Sequence, residues 1–345
     1  MPSVLESLNT SLNQAFADSP LVYLLGEDVL DPYGGAFKVT QGLSTAYPER
    51  VLTTPVSEAG ITGVAAGMAL RGLRPVVEIM FGDFTTLIAD QVVNHIAKFR
   101  WMYNDQVRVP LVIRTPMGGR RGYGPTHSQT LEKLFLGIPG LVVLAPTHLG
   151  DPGKLLYDAI LNCDDPVLFV ENKLLYLLPV QGAGASGEFE IKSWQASPGA
   201  GTDAAPLAPV YTIKLRDAPA PTLTICTYSY MAEMARQAVL KLAYEHEIFC
   251  ELVVPTLLAP FEPQPLVESV RRTGNLLVIE EGTLSFGWGA EIIAVCSETP
   301  GLRLNSARRL AARETPVPAS IALEASTLPD PDSILYTCLE IIHSG

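Results

Sequence analysis

Six short apolar runs, separated by stretches with helical spacing, constrain this chain more than any other feature. The first, Leu21-Val-Tyr-Leu-Leu25, is closed by Gly26-Glu27-Asp28. It has no polar alternate positions, so it reads as a strand buried on both faces. Val51–Thr53, Arg74–Met80, Leu111–Thr115, Leu141–Ala145 and Val167–Glu171 repeat the pattern. Buried strands alternating with helices dictate an α/β fold with a doubly wound parallel sheet. Ligands in such sheets collect beyond the carboxyl ends of the strands.

The intervening helices are expected at Lys38–Tyr47, from Glu58 to Leu70, at Phe84–Arg100 and at Gly150–Asn162. Over Phe84–Arg100 the residues Phe84, Leu87, Ile88, Val92, His95, Ile96 and Phe99 recur at spacings of three and four, the mark of one buried face. A smaller α/β block follows, with strands at Thr222–Tyr228, Phe249–Val254 and Asn275–Glu281. Its helices are expected at Tyr230–His246, Pro263–Arg272 and Gly289–Glu298. Between the blocks, residues 181–221 are rich in Gly, Ala, Ser and Pro and read as a linker with short strands at Phe189–Ile191 and Val210–Leu215. The expected division is therefore 1–180, a linker 181–221, and 222–345.

A chain of 345 residues, 48% hydrophobic and 17% charged, has the material for two cores. The net charge of −12 and the short, scattered arginine pairs exclude nucleic acid as a partner. Cys163, Cys226, Cys250, Cys296 and Cys338 show no paired spacing and read as free thiols of a reducing compartment. Met1–Leu12 lacks the basic start and apolar core of a signal peptide, and no apolar run reaches membrane-spanning length. The expectation is a cytoplasmic protein.

Glu58 is the chief candidate for chemistry. It follows Pro55-Val56-Ser57, where Pro55 disfavours helix before itself and Ser57 suits an N-cap. The helix dipole favours a carboxylate in the first turn, so capping alone would explain it. The run Ala59–Leu70, however, carries no charge to pair with it. A helix this small and apolar is expected to pack closely on all sides, leaving Glu58 against a dry cavity that favours the protonated carboxyl. His127 is the only histidine in a glycine-rich loop, Met117–Gln129, and is a candidate general acid/base. Phe84, at the start of its helix, is either core packing or a ring offered to a planar ligand. His95 reads as a core residue, and His148, His246 and His343 as surface positions. No phosphate-binding signature of the GxGxxG or GxxxxGK[ST] form follows one of these strands, and no Gly-x-Ser-x-Gly motif occurs. The Gly-Asp-Gly motif of thiamine diphosphate and magnesium binding is missing too.

Gly26-Glu-Asp28, Tyr33-Gly-Gly35, Thr54-Pro-Val-Ser-Glu-Ala-Gly60, Gly72-Leu-Arg-Pro75 and Ile113-Arg-Thr-Pro116 occur in order along the chain. His127-Ser-Gln129, Pro139-Gly-Leu141, Glu281-Gly282, Phe286–Ile292 and Thr315-Pro-Val-Pro318 continue the series. Together they resemble the β subunits of the decarboxylating component (E1) of thiamine-diphosphate-dependent 2-oxo acid dehydrogenases, of pyruvate, branched-chain and acetoin types. The resemblance implies a transketolase-like fold and an α2β2 heterotetramer. An α-type partner would hold the diphosphate and Mg2+, and this chain the pyrimidine half of the cofactor. It implies that Glu58 hydrogen-bonds the aminopyrimidine, sharing a proton that favours the imino tautomer, with Val56 in the turn beside it. Phe84 resembles the residue stacking on the pyrimidine, and His127 the histidine that assists acyl passage to a lipoyl group on an acyltransferase (E2). The long 181–221 segment, Ala319-Ser320 after the terminal Thr-Pro-Val-Pro, and Leu87 depart from the family pattern. Oxidative decarboxylation of a 2-oxo acid is the expected activity. An acyloin-forming or C–C ligating enzyme on the same scaffold and a non-catalytic scaffold subunit are the alternatives.

Overall fold

The computed structural model describes residues 1–182, 184–197 and 207–343. Helix α1 (Val4–Asp18) opens the chain, and Ser3 and Glu6 satisfy each other's backbone amides in a capping box. Strand β1 (Val22–Gly26) leads to a single helical turn, α2 (Leu43–Ala46). The helix expected over Lys38–Tyr47 shrinks to this turn. The Asp31 carboxylate collects the Gly42 and Thr45 amides and the Ser44 and Thr45 hydroxyls. Such side-chain bonding competes with the helix ladder and wins here.

Strand β2 (Val51–Thr53), helix α3 (Glu58–Leu70) and strand β3 (Arg74–Glu78) follow as expected. The stretch expected to be one helix from Phe84 is broken. It runs as a 3₁₀ turn at Gly82–Ile88, a π turn at Gln91–His95, a 3₁₀ turn at Ile96–Lys98 and one α-helical turn, α4 (Phe99–Met102). These changes of pitch move residues off a 3.6-residue stripe. Ile88, Val92 and Ile96 stay buried, whereas Leu87 turns outward. His95 is likewise exposed beside Asp90, at 3.6 Å, and is not the core residue its spacing suggested.

Strands β4 (Val112–Met117) and β5 (Val142–Leu144), helix α5 (Pro152–Leu161) and strand β6 (Val167–Asn172) complete the first alternating block. Within the expected linker, β7 (Gly184–Ser186), β8 (Phe189–Trp194) and β9 (Val210–Leu215) form an antiparallel ribbon. Residues 198–206 of that segment lie outside the described residues. The second block contains β10 (Leu223–Thr227), α6 (Met231–His246), β11 (Cys250–Pro255), β12 (Leu257–Ala259) and α7 (Gln264–Thr273). It ends with β13 (Asn275–Thr283), α8 (Trp288–Glu298), β14 (Ser306–Ala312), α9 (Ile321–Ala325) and α10 (Pro331–His343).

The first sheet has the order β12-β5-β6-β4-β3-β1-β2, parallel except where β12 joins β5 antiparallel. The second has the order β14-β13-β10-β11-β9-β8-β7. Its β10, β11, β13 and β14 are parallel, and the β7–β9 ribbon extends it from β11. Strand β12 therefore carries the chain from the second sheet back to the edge of the first. A continuous apolar core runs from Ile113, Val143 and Leu168 of the first sheet to Val253, Leu276 and Trp288 of the second. Each such aliphatic side chain, fully buried, stabilises the fold by about 1.5–3 kcal/mol.

Helix α3 packs on the core through Ile61, Ala65, Ala66 and Ala69. Gly63, Val64 and Gly67 on its other face are exposed, so the all-round packing expected of it is met on one side. The five cysteines are buried thiols. No helix among the described residues is long and apolar enough to cross a membrane.

Candidate active site

The strand order β6-β4-β3-β1-β2 fixes which connections meet at the carboxyl edge of the first sheet. In that spatial order they carry Lys173 after β6, the His127 loop after β4, the Phe81–Phe84 turn after β3, Glu27 after β1, and Glu58 after β2. The sequence separates these residues by up to about 150 positions; the sheet makes them neighbours.

Glu58 is 8% exposed and is the first residue of α3. Ser57 occupies the N-cap position but makes no side-chain cap. Its amide instead donates to the Glu27 carboxylate at 3.2 Å. Glu27 is itself buried, and its carboxyl is held above the ordinary value by that burial and by the charge of Glu58. No donor among the described residues reaches the Glu58 carboxyl. Two acids thus share a small space with one amide between them. Val56, in the turn ahead of the helix, is 81% exposed.

The Phe84 turn and the His127 loop come together. Phe81 and Phe84 meet the His127 imidazole edge-on, with centroids 4.8 and 5.3 Å away. Thr126 Oγ1 lies 3.0 Å from His127 Nδ1. The Phe84 ring is half-buried, with Phe81 5.8 Å from it and roughly perpendicular. Helix α3 packs directly on the Phe84 turn, which brings the Glu58 element to the same place.

The histidine loop adopts an expensive backbone. Gly118, Arg120, Gly122 and Gly124 all have left-handed φ, from 68° to 94°. A Cβ at Gly118 would collide with the Asn172 side chain, so only glycine fits. Two carboxylates from the second block secure the loop. Glu281 accepts from the Gly119 amide at 2.7 Å, and Glu324 from the Arg120 and Gly122 amides at 2.8 Å each. Asp83 takes the Gln129 side-chain amide at 2.7 Å and its backbone N–H at 3.3 Å. Sequence reading missed Glu27, Phe81, Asp83 and Lys173 as parts of this site. Each lies just beyond a strand's carboxyl end, and Glu27 also stands in the Gly26-Glu-Asp28 motif.

A second buried cluster lies close by. Arg114, fully buried on β4, bonds Glu171 at 2.6 and 3.0 Å and also pairs with Glu78, while the Tyr176 hydroxyl donates to Glu171. Burial lifts the Glu78 carboxyl above its ordinary value, outweighing the guanidinium beside it. His148 is also buried, 1% exposed, with Nε2 3.5 Å from Glu233 of α6, and is not the surface residue expected. The second block covers it. Burial depresses its pKa to about 4 despite Glu233. Among the described residues no group of three acids, histidines or cysteines is arranged to hold a metal.

Comparison with known proteins gives consistent matches. The transketolase pyrimidine-binding domain family matches residues 1–179, and the transketolase C-terminal domain family residues 214–334. Subunit beta-2 of the mitochondrial pyruvate dehydrogenase E1 component of Oryza sativa is 36% identical over 337 residues, spanning 96% of this chain and 84% of the relative. The pyruvate dehydrogenase E1 β subunit of Rickettsia bellii is 32% identical across 99% of this chain and 98% of its own. The β subunit of acetoin:2,6-dichlorophenolindophenol oxidoreductase from Cupriavidus necator is 33% identical over the same shares. Among solved structures, a split-gene transketolase, an inactive β4 tetramer, shares the fold with a TM-score of 0.70 at 19% identity, covering 99% and 98% of the two chains.

Proposed function

Because the chain belongs to the E1 β-subunit family of thiamine-diphosphate-dependent 2-oxo acid dehydrogenases, we propose that Glu58, Val56, Phe84 and His127 form its half of an active site. An α-type chain completes that site in an α2β2 assembly. The carrying observation is Glu58, a buried residue whose carboxyl is unbonded among the described residues and whose charge acts on the neighbouring Glu27. Such a carboxyl fits a ligand nitrogen that can share a proton with it. A pyrimidine ring supplies such a nitrogen, and the exposed Val56 and half-buried Phe84 offer apolar surface beside it.

Bound thiamine diphosphate supplies the carbanion chemistry that lets a 2-oxo acid lose its carboxylate. The residues of this chain have narrower tasks. Glu58 exchanges a proton at its carboxyl with the ligand nitrogen it faces. Phe84 and Phe81 exclude water from one side and fix the His127 imidazole. His127 moves protons at the substrate as a general acid/base and favours transfer of the acyl group to a lipoyl carrier. Magnesium and the diphosphate fall to the α chain in this reading, which agrees with the missing Gly-Asp-Gly motif. The pyrimidine-binding unit is residues 1–180 and the C-terminal unit 222–345, joined through 181–221.

Co-expression with an α-type chain tests the proposal. The expected result is 2-oxo-acid-dependent reduction of an artificial electron acceptor that needs both chains and thiamine diphosphate. Adding a lipoyl domain should divert the acyl group onto it. Full activity in Glu58→Ala would overturn the assignment.

A further inference from the structure

Lys173 is the first residue beyond β6 and has no exposed surface. Its amide donates to the Met117 carbonyl at 3.1 Å, which roots it between the ends of β6 and β4. Its ammonium donates to the backbone carbonyl of His127. The same ammonium lies over the faces of Phe81, 5.2 Å from the centroid, and Tyr123, at 5.7 Å. Phe81 is one of the two rings that meet the His127 imidazole edge-on. One cation therefore holds the histidine's backbone and braces a ring that packs on its side chain.

A lysine is almost never fully buried, because desolvating an ammonium is costly. A neutral donor could satisfy a single carbonyl without that cost. The charged groups facing Lys173 are Asp83 on the Phe84 turn, Glu281 on β13, Glu324 on α9 and Arg121 on the histidine loop. The three acids favour its charge and Arg121 opposes it. Burial outweighs them and pulls the lysine down to about 8.

We propose that Lys173 is a positioning residue for His127, its ammonium fixing the imidazole against Phe81 and Phe84 in the orientation the reaction uses. The inference rests on His127 working in the site proposed above. Below pH about 8 the ammonium is present and the clamp is closed. As pH rises through that value the proton leaves, and the attraction to the two ring faces goes with it.

The test uses the enzyme reconstituted with its α-type chain. Lys173→Met should lower kcat about tenfold, a fraction of what a general acid/base contributes. KM for the 2-oxo acid and affinity for thiamine diphosphate should stay within about twofold, as expected for an interaction realised after binding. The wild-type kcat should fall on the alkaline side near pH 8, and the variant should lose that limb. Lys173→Arg should restore part of kcat and keep it at higher pH. Carbethoxylation of His127, followed by mass spectrometry on the full chain at pH 7, should be several-fold faster in Lys173→Met. Equal His127 reactivity in variant and wild type overturns the clamp, as does a wild-type profile flat from pH 7 to 9. Should the reconstituted enzyme turn over no 2-oxo acid, the site assignment fails, while His127 reactivity still decides the clamp.

Discussion

Two pairs of buried acids stand near the same edge of the first sheet, and they are built in opposite ways. Glu78 and Glu171 grip Arg114 between them, and Tyr176 takes one further lone pair. Among the described residues the Glu27 carboxyl has the Ser57 amide, and the Glu58 carboxyl has no bonded partner. Both pairs are nearly inaccessible, so burial does not distinguish them. The difference lies in whether the chain cancels the charge it buries. The arginine cluster is neutralised from within, so it is architecture, costly to assemble and more costly to break. The Glu27–Glu58 pair has no such cation among the described residues, and the proposed function places a ligand nitrogen there.

Breaking each pair should therefore give opposite phenotypes. Arg114→Met leaves two carboxyls buried without a cation and should cost about 3–5 kcal/mol of stability, read by denaturant titration. Glu58→Ala should fold normally, with Tm near wild type, yet lower kcat of the reconstituted enzyme by about 10³-fold. A loss of fold in Glu58→Ala, or normal stability in Arg114→Met, would erase the distinction. His127→Ala should lower kcat by about 10²-fold while leaving cofactor affinity intact, as measured by calorimetry.

The smallest effects concern pH. His148 has a folded pKa of about 4, below its ordinary value of 6.5. The folded state therefore binds fewer protons between those values, and this contribution to stability is lost as pH falls from 6.5 to 4. Glu280 on β13 is buried and raised to about 7 from 4.5, chiefly by burial. There the folded state binds more protons, and stability is lost as pH rises from 4.5 to 7. The two slopes oppose each other. His148→Gln and Glu280→Gln should tilt the Tm–pH curve in opposite directions by a few °C.

Much of this was legible in the sequence, for local reasons. The continuous apolar runs became strands close to where they were expected, and Glu58 opens its helix as Pro55 and Ser57 suggested. What could not be read depends on distant partners or on competing local bonds. Asp31 unwinds the helix expected after Lys38 by collecting its own hydrogen bonds. The 3₁₀ and π turns between Gly82 and Lys98 swing His95 outward, although its spacing matched the buried stripe. His148 sits in a Pro-Thr-His-Leu-Gly segment with every sign of a surface loop, yet Glu233 of α6 covers it from 85 residues downstream. The carboxylates securing the histidine loop are 162 and up to 204 positions away, beyond any local pattern.

Those two carboxylates also impose an order on the life of the molecule. During synthesis the first sheet, with its strands and Glu58, can form long before α9 exists. The loop bearing His127 has four left-handed residues and lacks two of its anchoring bonds until Glu324, two hundred positions downstream of the loop, has been made. A chain cut short before that point keeps Glu58 in place but leaves the histidine loop without those anchors. Glu324 thus acts as a completion mark, and only copies synthesised through α9 acquire a set loop.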